Sequence, residues 1–183
     1  RNFTKYFFSK RDSNFAETFR NDSKEGDVQL KLEYYNKLTG STLLSASSTF
    51  KTILLNYDIN KLPDTLSVID PYSGNYLVLP AVTVLLSKRT SKASAHLELI
   101  QNLFGKLKFT AGIRYDYIAI LNEKHYISPR TSLSYALSPK LSLNLAYGIF
   151  LQSPSYIWIA GVPGNEDLRD IRADHYVAGT EYL

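Results

Sequence analysis

The chain has 183 residues, 44% of them hydrophobic, with 14 Tyr, 9 Phe, one Trp and a net charge of +4. The absence of Cys excludes a disulfide scaffold and any thiolate metal site, and basic residues scattered without a run of five argue against a nucleic-acid partner. There is no Met and no basic-then-apolar leader after Arg1-Asn2-Phe3, so the sequence reads as a mature or trimmed segment.

Taken in order, the predicted elements are strands near 2–9, 27–37, 42–57, 89–101, 106–118, 127–138, 141–152 and 171–183. Val28, Leu30, Leu32 and Tyr34 alternate with Gln29, Lys31 and Glu33, and Ala95, Leu97 and Leu99 alternate with Ser94, His96 and Glu98. The clearest case is Leu107, Phe109, Ala111, Ile113, Tyr115 and Tyr117 against Lys108, Thr110, Gly112, Arg114 and Asp116. Thr131, Leu133, Tyr135 and Leu137, then Leu141, Leu143, Leu145, Tyr147 and Ile149, continue it against mostly small polar partners. A period of two means a strand with one apolar and one polar face. Two stretches resist this reading: 42–58 mixes its faces, and 77–86 fits either a strand or a loop packed on itself.

Short joints at 38–41, 102–106 and 138–140 are rich in turn formers, and they alternate with longer links near 11–26, 58–88, 119–126 and 153–170. Transmembrane barrels alternate in this way, with tight turns on one rim and long loops on the other. The charge-free stretches 71–87 and 141–165 are broken by Pro80, Pro154 and Pro163, so any crossing of a bilayer is by strands rather than a helix. The polar faces carry Ser132, Ser134, Ser142, Asn144 and Gly148 instead of the Lys and Glu of a solvated face, which suits a lumen. The fold class predicted is all-β: an antiparallel transmembrane β-barrel segment of about eight strands, a fragment of a larger barrel. With no domain boundary, long repeat or low-complexity tract, residues 1–183 read as one β-barrel segment. A soluble all-β domain and a small closed eight-stranded barrel with a structural or adhesive role remain as alternatives.

From Thr90 onward the sequence resembles the barrel of TonB-dependent outer-membrane receptors. Phe109-Thr110-Ala111-Gly112-Ile113-Arg114-Tyr115-Asp116 is similar to the family's aromatic-x-x-Gly-x-Arg-Tyr-Asp strand. Tyr126-Ile127-Ser128-Pro129-Arg130 resembles its Ser-Pro-Arg strand start, and Tyr147-Gly148-Ile149-Phe150 followed by Pro154 resembles its Tyr-Gly-x-Phe element. Leu168 to Tyr182 resembles the strand that follows. The resemblance implies a cell outer-membrane location, a plug domain and TonB as partners in a full-length protein with a barrel of 22 strands, and energy-coupled uptake of a scarce small ligand. No plug is visible in this sequence, and the ligand is not readable from it.

No catalytic signature occurs, and an enzyme is not expected; a membrane enzyme would need a Ser/His pair that the sequence does not show. His96, His125 and His175 lack metal-ligand spacing, so no metal and no cofactor is expected. Candidate ligand-binding residues are Tyr156, Trp158, Asn165, Asp167 and Arg169 in the 153–170 link, where aromatics beside polar groups could stack on a ligand or anchor the loop. On the polar faces the candidates are Arg114, Asp116 and Arg130. Pairing their strands is expected to set Asp116 opposite Arg130 and Ile113 opposite Leu133, with Asp116 in ion-pair reach of Arg130 or Arg114. Gly112 and Gly148 provide either room on the lumen side or local strand curvature.

Overall fold

A computed structural model describes residues 2–11, 17–69, 74 and 76–183. The strands are β1 (Asn2–Arg11), β2 (Glu17–Lys37), β3 (Thr42–Lys61), β4 (Asp64–Ile69), β5 (Tyr76–Leu79), β6 (Val82–Leu103), β7 (Leu107–Ile118), β8 (His125–Ser138), β9 (Leu141–Gln152) and β10 (Ile171–Tyr182). One short helix, α1 (Tyr156–Gly161), and a 3-10 turn (Asn165–Asp167) interrupt the last link. Eight strands form one sheet in the order β1-β2-β3-β6-β7-β8-β9-β10, and β4 and β5 form a separate pair. The pairings whose register is resolved are antiparallel. No helix among the described residues is long and apolar enough to cross a membrane.

The strands run further than the alternation alone indicates. Among the described residues the links expected over 11–26 and 58–88 are mostly strand: β2 begins at Glu17, β3 continues to Lys61, and β4, β5 and the start of β6 follow. Pro80 lies in the break between β5 and β6, where its missing N–H removes no ladder bond.

The chain gathers into two compact units. The first comprises Arg1–Val28, Thr52–Thr90 and Ser155–Asn165; the second comprises Gln29–Lys51, Ser91–Pro154 and Glu166–Leu183. In the first, Ile53, Leu55, Tyr57 and Ile59 are buried at alternate positions of β3, together with Val84 and Ile159. In this part of β3 the buried apolar residues take the odd positions. In the second unit the large exposed side chain of β3 is Phe50, an even position, so the apolar parity of the strand changes along its length.

In the second unit one face carries large exposed apolar side chains. Leu107 pairs Tyr135 and Phe109 pairs Leu133; across the next ladder Leu133 pairs Leu145 and Tyr135 pairs Leu143. Directly opposed residues of antiparallel strands share a face, so these residues form a single apolar surface. Ile113 is 47% exposed and Leu145 44%, whereas Ser132, Ser134, Ser142 and Asn144 on the other face are half-buried.

The tight turns of this unit lie at one end of its strands. Backbone bonds tie them into a row: Asn102 N–H to Ser41 O (2.8 Å), Ala136 N–H to Lys106 O (2.8 Å) and Leu183 N–H to Lys140 O (2.9 Å). In the β6–β7 turn Phe104 and Gly105 both take positive φ, 52° and 66°, and Lys106 N–H closes on Leu103 O at 3.2 Å. Glycine takes that conformation freely, but for a bulky residue it is strained. Next to the β8–β9 turn the ladder slips by one residue between Ala136 and Ser138.

Candidate functional site

The polar face of the second unit is organised by arginine. Arg114 and Asp116 stand two apart on β7 and therefore point the same way; Arg114 Nε donates to Asp116 Oδ2 at 2.7 Å and Nη2 to Oδ1 at 2.8 Å. Asp116 is only 8% exposed, beside the buried Tyr126 and Ser128 of β8. A carboxylate so buried needs a charged, bidentate partner to offset its lost hydration, and this fork supplies one.

The expected pairing of Asp116 with Arg130 does not form. Asp116 pairs Tyr126, Arg130 pairs Gly112, and Ile113 pairs Pro129 rather than Leu133. Alternation fixes which face a residue takes, but a slide of four residues preserves that parity. The β7–β8 connection, expected over 119–126, spans 119–124 instead, and the earlier start of β8 at His125 resets the pairing.

Arg130 sits in a row between two glycines, opposite Gly112 on β7 and Gly148 on β9. Its guanidinium lies over the Phe150 ring at 4.3 Å, and that ring packs on His175 with centroids 4.5 Å apart. A Cβ on Gly148 would meet Phe150 Cε2 at 3.0 Å and Arg130 Cγ at 3.2 Å, so close approach of side chains explains this glycine. A Cβ on Gly112 would meet nothing closer than 3.5 Å. Glu98, Gly112, Arg130, Gly148, Phe150 and His175 line a cavity of about 240 Å³. Stacking uses the guanidinium face and leaves its edge N–H groups to donate to a carboxylate or phosphate. This is binding chemistry.

Phe150 and His175 were missed in the sequence, although a signal exists. Phe150 is an apolar residue at a polar position of β9, in the unbroken run Ile149-Phe150-Leu151. Of the other histidines, His96 borders two residues of the cavity wall, with its Nε2 3.9 Å from Glu98 and its Cε1 3.5 Å from where a Cβ on Gly112 would lie, and His125 Nδ1 is 2.7 Å from the Tyr115 hydroxyl. Among the described residues no group of three or more His, Asp or Glu is placed to hold a metal ion.

The candidates of the last link divide between the units. In the second unit Asp167 Oδ1 accepts from Asn122 Nδ2 at 2.7 Å, Glu166 O accepts from Asn122 N–H at 2.8 Å, and Arg169 Nε lies 3.1 Å from Glu123 Oε2. Asp167 and Arg169 thus fasten this link to the 119–124 connection. The neighbouring Asp170 has an inward Oδ1 with no hydrogen-bond partner. Burial pushes its carboxyl above the ordinary range, against the attraction of Lys92, and the charge of Asp116 adds to the rise.

In the first unit Tyr156 is half-buried, and burial with the charges of Glu25 and Asp27 pushes its phenol up to about 12. Trp158 is 62% exposed, and its carbonyl accepts from Asn165 Nδ2 at 2.7 Å. Trp158 and Asn165 border a cavity of about 400 Å³ whose walls include Phe19, Ile59, Val82 and Val84.

Residues 1–183 match the family model described as TonB dependent receptor-like, beta-barrel. No curated protein matches the chain in sequence. A solved structure titled "NanC porin structure in rhombohedral crystal form" is 13% identical, with 99% of this chain and 92% of that chain covered and a TM-score of 0.35.

Proposed function

The chain belongs to the TonB-dependent receptor-like β-barrel family, and from that premise we propose that it is part of an outer-membrane receptor that takes up a scarce small ligand by energy-coupled transport. The family is one of receptor barrels rather than enzymes. The observation that carries the reading is the arrangement of the second unit, in which Phe109, Ile113, Tyr135, Leu143 and Leu145 share one face with large exposed apolar side chains while the serines, Asp116 and Arg114 lie on the other. In water such a surface would be penalised by about 25 cal/mol for each Å² of apolar area left wet. In a bilayer the same surface is solvated, and the strand ladders satisfy the backbone groups that lipid cannot.

In this reading the polar face lines the lumen. There the cavity around Arg130 meets either the ligand or the plug of the full-length protein. In the first unit, by itself, the exposed Trp158 offers a ring on which a ligand can stack. Transport energy arrives through TonB.

The test uses the intact protein that contains this chain. Periplasmic extracts of cells with and without it, in hosts with and without TonB, are compared by untargeted mass spectrometry. A compound enriched only when both are present is the expected result. Enrichment independent of TonB would reduce the protein to a passive pore, and its absence from the outer-membrane fraction would end the proposal.

A further inference from the structure

The end of the second unit that carries the tight turns has a chemistry of its own. Each of its three turns presents one exposed lysine: Lys37 at the β2–β3 turn, Lys106 at the β6–β7 turn and Lys140 at the β8–β9 turn. No Asp or Glu occurs in 35–43, 101–108 or 136–142, and Glu181 near the end of β10 takes the polar parity, opposite Ser142. The connections at the other end of the same unit mix Glu123, Glu166, Asp167 and Asp170 with Lys124 and Arg169. The charge of this unit is therefore sorted by end.

Hydrophobes accompany the lysines. Leu38, Phe104 and Leu137 are all exposed, and Phe104 is 94% exposed. The aromatic ring of Phe104 is held out by a backbone at φ 52°, a conformation that favours glycine. Water gives no return for this strain. The N–H groups of Asn102, Ala136 and Leu183 donate to the carbonyls of Ser41, Lys106 and Lys140, pinning each turn to the neighbouring strand end, and the strand order sets the three turns in a single row. The strand ends beneath that row carry Leu107, Tyr135 and Leu141 of the apolar face.

We propose that this row of turns binds the headgroups of anionic glycerophospholipids, with one lysine ammonium per turn at the phosphates and Phe104, Leu38 and Leu137 at the boundary between headgroup and acyl chain. The proposal rests on the membrane reading above. A lipid surface is favoured over a shaped ligand because the lysines are spaced one to a turn instead of converging on a cavity. It is also favoured because hydrophobes flank each of them, which is how lysine stems and their charged ends divide at a membrane boundary. Anionic lipid attracts such basic segments within a screening length of the surface.

The intact protein, drawn from micelles holding equal phosphatidylglycerol and phosphatidylcholine, is examined by native mass spectrometry for retained lipid. Several-fold preference for the anionic lipid is expected. Lys37→Gln, Lys106→Gln and Lys140→Gln should reduce it stepwise and together abolish it, while the corresponding Arg substitutions preserve it. Phe104→Ser should lower the total lipid retained without changing the ratio. Heat-modifiable gel mobility checks that each variant is folded, and the single variants suffice if the triple one is not. Equal retention of both lipids, or a preference that survives the Gln variants, overturns the assignment. Retention of neither lipid overturns the membrane reading itself.

Discussion

Gly112 and Gly148 face the same arginine from opposite sides, yet the space around them differs. A methyl at 148 meets the Phe150 ring at 3.0 Å and Arg130 at 3.2 Å, so Gly148→Ala forces one of them off its position. Overpacking of this kind costs roughly 1–2 kcal/mol. Gly112→Ala has 3.5 Å of clearance and is expected to be neutral or to stabilise by up to about 0.5 kcal/mol through the stiffer unfolded chain. Unfolding of the two variants in detergent and urea reads the difference, and equal effects would remove close packing as the reason for Gly148. Asp170 gives a second prediction at this scale. A carboxyl raised by burial holds its proton more tightly folded than unfolded, so its ionised form weighs against the fold at neutral pH. That burden is relieved as pH falls through the raised range. Asp170→Asn should therefore unfold at a higher temperature than the unsubstituted protein at pH 7, and the gap should close on acidification. A gap that does not change with pH would mean that burial of the charge is not its cause.

Strands β7, β8 and β9 make the two faces testable as elements. Leu133 and Leu145 are direct neighbours on the apolar face, and Ser142 lies on the other, beside Glu181. Arginine at the bilayer midplane costs about 2–4 kcal/mol, so Leu133→Arg and Leu145→Arg should each lose that much in folding from urea into lipid vesicles. Ser142→Arg should lose less than about 1 kcal/mol, as surface changes do. Comparable losses on both faces would contradict a lipid-facing leucine surface. The alternation that exposes these faces was legible in the sequence because a strand side chain can point only two ways, and Leu107, Phe109, Leu133 and Leu145 all lie where parity puts them. The pairing of Asp116 with Tyr126 was not legible, since a slide by an even number of residues leaves every face unchanged. The facing of β3, placed at 42–57 by the sequence, was hidden for another reason: Ile53, Leu55, Tyr57 and Ile59 form a core in one unit, whereas Phe50 is exposed in the other, so a single strand carries opposite patterns. Arg114 with Asp116 could be read from their spacing of two. The row of Gly112, Arg130 and Gly148 depends on register across three strands and could not.

At the scale of the molecule, neither compact unit is a continuous piece of chain, because β2, β3 and β6 each contribute residues to both. Excising either would cut three strands. The sheet order also gives β1 and β10 a strand neighbour on one side each among the described residues. Unpaired edges recruit other chains in water and are not tolerated in lipid. The 183-residue chain produced alone is thus expected to aggregate or to need detergent. A monodisperse, water-soluble monomer that unfolds reversibly would favour a soluble β domain. The slip of the ladder between Ala136 and Ser138 bears on how such a sequence can change in length. Within β7, β8 and the body of β9, adding or deleting one residue would exchange the leucine and serine faces, and two residues would restore them. Relatives of this chain should therefore differ by pairs of residues inside these strands. Single insertions should collect beside the 139–140 turn, where the ladder already takes up one extra residue.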